Sequence, residues 1–345
     1  MRILFLTHRF YPDIGGIQVN SEILANQFQA MGHTVTLATW TTEHGDRSFP
    51  FDVVRNPDAS QLFSLHKQAD VVFENNPCLR LAWPSLFYKS ANVAALRTWV
   101  ARNDGTTSWQ DKLKTYWLNR ADAVIAVSKA VAHYGPEHTH VIGNPYRNDL
   151  FRKTNNGRNP LSFVFMGRLV SSKGCDIALE AFAKFAKNYN SAGTAIPELT
   201  VIGDGEVREA LENRTAELKL GESVTFAGFL QGSELVDALN RCAYLLMPSL
   251  IVEAFGNVAL EAMACGCLPI VSDTGGLPGA VGKAGVVVEN PNAQTFYTAI
   301  SELVKHPERE KVLRSESAGH LKKFTPEVVA KKYMDVLLEA HAKRN

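Results

Sequence analysis

Between residues 161 and 273 the chain alternates short apolar runs with helical stretches, and this alternation restricts its fold more than any other feature. The runs "LSFVFMGRL", "ELTVIGDG", "SVTFAGFL", "AYLLMPSL" and "CLPIVSD" have the length and apolarity of buried parallel strands. Between them, "CDIALEAFAKFAKN", "EVREALENRTAELKL" and "SELVDALNRC" read as helices. Strands alternating with helices imply a parallel sheet covered on both faces.

The first half is built the same way. "RILFLTH" is an opening strand, followed by the loop "RFYPDIGGI" and a helix in which Leu24, Phe28 and Met31 keep helical spacing. Gly32 stops that helix and "HTVTLATW" is the next strand, which makes a βαβ unit with a glycine pair at its first turn. "ADVVFEN", "NVAALRTW" and "ADAVIAVSKAV" continue as strands, and "GNPYRNDLFRKTNNGRNP" reads as a linker. The expectation is an α/β chain of two Rossmann-like, doubly wound domains facing across a cleft. They comprise residues 1–148 and 149–324, with the amphipathic segment 325–345 packing back on the first through positions such as Val328, Tyr333 and Leu337.

At 345 residues there is enough chain for two cores, and 36 basic against 35 acidic residues leave no global field for nucleic acid. No apolar run is long enough to span a bilayer, and "RILFLTH" is too short for a signal peptide. Five scattered cysteines fit a reducing compartment, so a soluble cytoplasmic protein is expected. Cys265 and Cys267 lack a second ligand pair and read as helix-end packing, not a metal site. "GDGEVR" carries Arg208 where the dinucleotide fingerprint has its third glycine, so it reads as a tight turn.

The stretch "IVEAFGNVALEAMACGCLPIVSD" sets Glu253 and Glu261 eight positions apart, with Phe255, Gly256 and Asn257 between them. A helix begins near Gly256 and stops at Gly266. A helix N-terminus preceded by glycine attracts anions, and a carboxylate is a strong acceptor for paired sugar hydroxyls. A nucleotide-sugar therefore fits, with its phosphates at the helix start and its two sugar rings on the two acids. Spacing alone favours the plainer alternative of two solvated acids around an ordinary helix start.

The motifs "GGIQVNSEILANQFQAMGHTV", "FVFMGRLVSSKG", "LTVIGDGEVREAL", "VTFAGFL" and "EAFGNVALEAMACGCLPIVSD" run through nearly the whole chain. In them the chain resembles the retaining glycosyltransferases of family 4, whose two-Rossmann fold is called GT-B. The E-x7-E pair with its internal F-G is highly specific and displaces the surface reading. The resemblance implies that Arg168 and Lys173 grip the donor diphosphate and that Glu253 holds donor-sugar hydroxyls, the three forming the catalytic set. It implies backbone contacts to the donor from Phe255, Gly256, Asn257 and Val258, with Glu261 on the ribose and Leu230 at the base. Gly15 and Gly16 match the loop that approaches the diphosphate and the acceptor.

Two positions depart from the pattern. Gly279 stands where an acid is usual, and Arg97 stands where the family often has a histidine near the donor sugar. As a sugar or acceptor contact, Arg97 would need Asp104 or an anionic substrate to balance its charge. No D-x-D pair occurs, so no metal and no cofactor are expected beyond the nucleotide-sugar co-substrate, with UDP the expected nucleotide. The acceptor would be a saccharide or a lipid-linked saccharide in bacterial surface polysaccharide synthesis, and no nucleic acid is involved. "WQDKLKTYWLNR" suits either peripheral contact with the inner face of a membrane or a helix packed on the first domain. Competing readings are a nucleotide-sugar epimerase of the same fold and a catalytically silent nucleotide-sugar-binding protein.

Overall fold

The computed structural model describes residues 1–13, 15–99, 108–154, 157–189 and 196–344. The chain forms two compact units, Met1–Pro145 with Phe324–Asn345, and Tyr146–Lys323.

In the first unit the described strands are β1 (Arg2–Thr7), β2 (Thr34–Thr39), β3 (Asp52–Arg55), β4 (Val71–Asn75), β5 (Ala91–Leu96), β6 (Ala123–Ala126) and β7 (His140–Val141). They pair in parallel in the order β3-β2-β1-β4-β5-β6-β7. The helices are α1 (Gly16–Ala30), α2 (Ala59–Gln68), α3 (Leu79–Ala82), α4 (Trp109–Arg120) and α5 (Lys129–Ala132). From Ile3 to Thr7, β1 is buried without interruption, because both faces of a parallel sheet are covered. The C-terminal helix Pro326–Ala342 lays Val329, Tyr333 and Leu337 into the same core as Ile3, Phe5, Phe28 and Phe73. Rings there meet edge to face, Phe5 with Phe73 at 4.9 Å and Phe73 with Tyr333 at 5.9 Å between centroids. "ADAVIAVSKAV" is not one long strand. The chain leaves the sheet at Ala126, and Ser128 caps α5 by accepting the Val131 N–H at 3.2 Å.

The second unit has β8 (Ser162–Met166), β9 (Glu198–Ile202), β10 (Val224–Gly228), β11 (Tyr244–Met247), β12 (Leu268–Ser272) and β13 (Val286–Val288). These pair in parallel in the order β10-β9-β8-β11-β12-β13. Its helices are α6 (Cys175–Asn188), α7 (Arg208–Glu217), α8 (Gly232–Arg241), α9 (Asn257–Ala264), α10 (Leu277–Val281), α11 (Ala293–Lys305) and α12 (Pro307–Leu321), and the C-terminal helix is α13. Phe163, Phe182, Phe185 and Tyr244 anchor the core.

Both units are Rossmann-like, doubly wound sheets. Strand order reverses at the first strand of each, between β1 and β4 and between β8 and β11. In such sheets ligands bind beyond the carboxyl ends of the strands at that reversal. Among the described residues no helix is long and apolar enough to cross a membrane.

Candidate functional site

Glu253 comes from the loop after β11, and that loop is tied to the one after β8. The Leu250 and Ile251 N–H groups donate to the Ser172 carbonyl at 2.9 and 3.3 Å. This brings together two side chains 80 residues apart: Lys173 Nζ donates to Glu253 Oε1. Ser249 Oγ donates to the same oxygen at 2.7 Å. With side-chain exposures of 18% and 14%, Lys173 and Glu253 are screened less than an exposed pair. No donor among the described residues reaches Glu253 Oε2, which leaves an acceptor for a hydroxyl. Gly275 lies directly against this loop at φ +60, and a Cβ there would sit 2.1 Å from the Glu253 carbonyl oxygen. Gly276 N–H donates to that same carbonyl at 2.7 Å.

Gly256, at φ +115, turns the chain into α9, and a Cβ there would lie 2.6 Å from Leu277 Cδ2. The positive end of α9 therefore lies between Glu253 and Glu261. Beyond the carboxyl ends of β8, β9 and β10 is a cavity of about 410 Å³, lined by Arg168, Asp204, Phe229, Leu230, Val258 and Glu261 among others. Arg168 is exposed, and its guanidinium makes no hydrogen bond or ion pair among the described residues. Burial pushes the Glu261 carboxyl up to about 7. The Phe229 ring is 66% exposed and offers an apolar face. A ligand with a flat ring, vicinal hydroxyls and a phosphate matches these surfaces. A larger hollow, about 670 Å³, lies by the C-terminal ends of α6 and α7, where Arg214 is already paired with Glu180 and Glu217. It is at the opposite end of the strands and offers no comparable set.

Of the residues expected from the sequence, Lys173 and Glu253 are in contact, and Arg168, Leu230, Val258 and Glu261 share the cavity. Phe255, Gly256 and Asn257 form the turn joining the two groups. Gly15, Gly16 and Arg97 belong to the first unit. Gly16 opens α1, and a Cβ there would meet nothing within 4 Å, so a ligand can approach the backbone closely. Arg97 follows β5 and is only 5% exposed. Its Nε donates to Asn75 Oδ1 at 2.6 Å, its Nη1 donates to Asn144 Oδ1 at 2.7 Å, and it lies 5.2 Å from the Tyr333 ring centroid. Burial pulls its pKa below the ordinary arginine value. No carboxylate among the described residues pairs with it, and Asp104 lies outside them. Ser249 and Gly275 do not stand out in the sequence; the glycine doublet after β12 is the one signal of a close backbone approach.

The family model for glycosyl transferases group 1 matches residues 147–319, which include Arg168, Lys173, Glu253 and Glu261. Among curated proteins, the GPI3 subunit of phosphatidylinositol N-acetylglucosaminyltransferase from Saccharomyces cerevisiae is 25% identical over 348 residues, spanning 88% of this chain and 73% of that protein. A D-inositol 3-phosphate glycosyltransferase from Rhodococcus jostii is 33% identical over 182 residues, spanning 52% of this chain and 39% of that protein. Among solved structures, Anabaena Alr3699/HepE in complex with UDP superposes with a TM-score of 0.81 at 19% identity, covering 98% of this chain and 100% of that one. The structural likeness gives the fold its name, GT-B.

Proposed function

We infer the reaction from one premise: the chain belongs to the group 1 glycosyl transferases. It transfers a sugar from a nucleoside diphosphate, UDP, to a hydroxyl of a saccharide or lipid-linked acceptor, retaining the anomeric configuration as family 4 enzymes do. The observation that carries this reading is the second unit's site, with Lys173 on Glu253 beside the start of α9 and with Arg168 and Glu261 in one cavity. A structural neighbour solved with UDP and a curated relative named as an N-acetylglucosaminyltransferase support the choice of donor class.

In the proposed reaction the bond from the anomeric carbon to the phosphate oxygen breaks and the bond to the acceptor oxygen forms on the same face. The acceptor's proton passes to the departing phosphate. Arg168, Lys173 and the positive end of α9 neutralise the charge growing on that diphosphate, with no metal required. Glu253 holds donor-sugar hydroxyls through Oε2, while Lys173 and Ser249 occupy Oε1. The backbone of Phe255, Gly256 and Asn257 contacts sugar and phosphate, and Leu230 with Phe229 covers the base. By analogy of size and pattern, the setting is bacterial surface-polysaccharide synthesis. A panel of nucleotide-sugars read by thermal shift tests the donor class, since a ligand bound only by the folded state raises its melting temperature. No shift with any member contradicts the reading.

Glu261 gives the site a pH signature. Ribose hydroxyls donate to the ionised carboxylate, so donor binding displaces a proton from a group that titrates near 7. Affinity for a nucleotide-sugar, whose diphosphate does not titrate there, should rise several-fold from pH 6 to pH 8. Glu261→Gln should flatten that profile in isothermal titration. In the unliganded protein the sign is opposite. The raised carboxyl favours the fold fully below its usual 4.5, and this contribution is lost as pH rises through about 7.

We also propose peripheral membrane contact through α4. Trp109, Leu113 and Tyr116 recur at helical spacing and are 72%, 42% and 59% exposed, with Lys112, Lys114 and Arg120 on the same helix. Vesicles containing anionic lipid should retain the protein at low salt and release it at high salt. Equal partition with and without anionic lipid would remove this contact from the account.

A further inference from the structure

We propose that Arg97 is a positioning residue that fixes the glycine loop Gly15–Gly16 through a buried hydrogen-bond relay. This rests on the reading of that loop as facing the donor diphosphate and the acceptor. The relay runs from the carboxyl ends of β5 and β4 to the first turns of α1, beside the strand reversal of the first unit. Arg97 Nε donates to Asn75 Oδ1 at 2.6 Å, and Asn75 Nδ2 donates to Ser21 Oγ at 2.7 Å. Ser21 Oγ in turn donates to the Ile17 carbonyl at 2.9 Å, in the first turn of α1. Asn20 Nδ2 holds the adjoining Gly16 carbonyl at 2.9 Å. Arg97 is 5% exposed, Asn20 2%, and Asn75 and Ser21 0%, so the side chains that carry these bonds are closed to solvent, while the Gly16 and Ile17 carbonyls they hold lie at the partly exposed start of α1.

The direction of the relay follows from chemistry. A guanidinium only donates, so it forces the oxygen of the Asn75 amide toward itself and the amide nitrogen toward α1. Its charge strengthens the first bond, and its planar fork holds Asn144 at the same time. A neutral imidazole can donate or accept and would leave the Asn75 orientation open. Burying an arginine with no carboxylate partner among the described residues is costly, and a fixed orientation for the loop is what this cost brings. The competing role, direct contact with an anionic sugar or acceptor, would require the guanidinium to reach substrate from a side chain that is almost closed to solvent.

The test compares Arg97→Gln, Arg97→Lys, Ser21→Ala and the Arg97→Gln/Ser21→Ala double variant of the full chain. Hydrogen exchange of the amides of residues 16–21 is read alongside steady-state kinetics with a UDP-sugar. Exchange there should quicken in both single neutral variants, and the double should be no faster than the worse single, as expected for one relay. Turnover should fall on the order of 100-fold, with the donor KM and UDP affinity within about twofold of the parent. Lysine, a point charge without a fork, should not restore it. Unchanged exchange in Arg97→Gln overturns the proposal. So does a rise in KM confined to anionic partners with Ser21→Ala at parental rates, which assigns Arg97 to substrate. If the parent transfers no sugar, the proposed function fails while the exchange result still decides the relay.

Discussion

Lys173→Ala is expected to lower turnover about 100- to 1,000-fold while the protein stays folded, because one donor aimed at developing charge contributes about 2.7–4 kcal/mol to catalysis. Lys173 has two tasks in this account. It holds Glu253 Oε1, and its charge meets the departing diphosphate. The alanine variant loses both, so the loss should exceed that of Arg168→Ala, whose guanidinium has no partner among the described residues to disturb. Neither position belongs to the buried core, so melting temperature should move by a few degrees at most. Rates of UDP release, with thermal unfolding monitored in parallel, check this. Near-parental rates in the Arg168→Ala/Lys173→Ala double variant would remove the pair from the mechanism.

Gly275→Ala should be nearly as damaging, though a glycine has no side chain to offer a substrate. At φ +60 an alanine is strained by about 1–3 kcal/mol, and its Cβ would sit 2.1 Å from the Glu253 carbonyl oxygen. Backbone cannot yield as a flexible side chain does, so the loop carrying Glu253 must shift. A displacement of about 1 Å at a catalytic group costs on the order of 100-fold in rate. Gly279→Ala, four residues on, is the control. A Cβ there meets nothing within 4 Å, and alanine is the better helix former inside α10 by about 1 kcal/mol. Activity and melting temperature measured on both variants separate a local clash from general sensitivity to glycine replacement. Equal behaviour of the two would contradict the role given to Gly275.

The fold was legible where local pattern and burial coincide. β1, β8 and β12 are continuous apolar runs because the helices cover both faces of each sheet. β3 and α2 left no such trace. β3 has four residues, none fully buried, and α2 buries only Leu62 and His66. A capping box between Asp58 and Gln61 was the available signal for α2. The site divides in the same way. Gly256 and the acids on either side of it are placed by one short stretch of backbone, so their spacing could be read directly. The contact of Lys173 with Glu253 depends on hydrogen bonds between the loops after β8 and β11, and no local pattern encodes it. Arg97 was visible as a departure from a resemblance. Its burial against Asn75, Asn144 and Tyr333 is a property of packing between distant segments.

The proposed reaction moves a sugar from UDP to an acceptor hydroxyl with retention, using Arg168, Lys173 and the start of α9 in place of a metal. Proton NMR of the reaction of a UDP-α-sugar with a panel of saccharide acceptors, in excess chelator, tests all of it in one tube. UDP release should be matched by a product whose new anomeric proton carries the small coupling of an α linkage, with both signals lost in Lys173→Ala. A β-linked product, or turnover that stops with chelator and returns with one divalent ion, would contradict it.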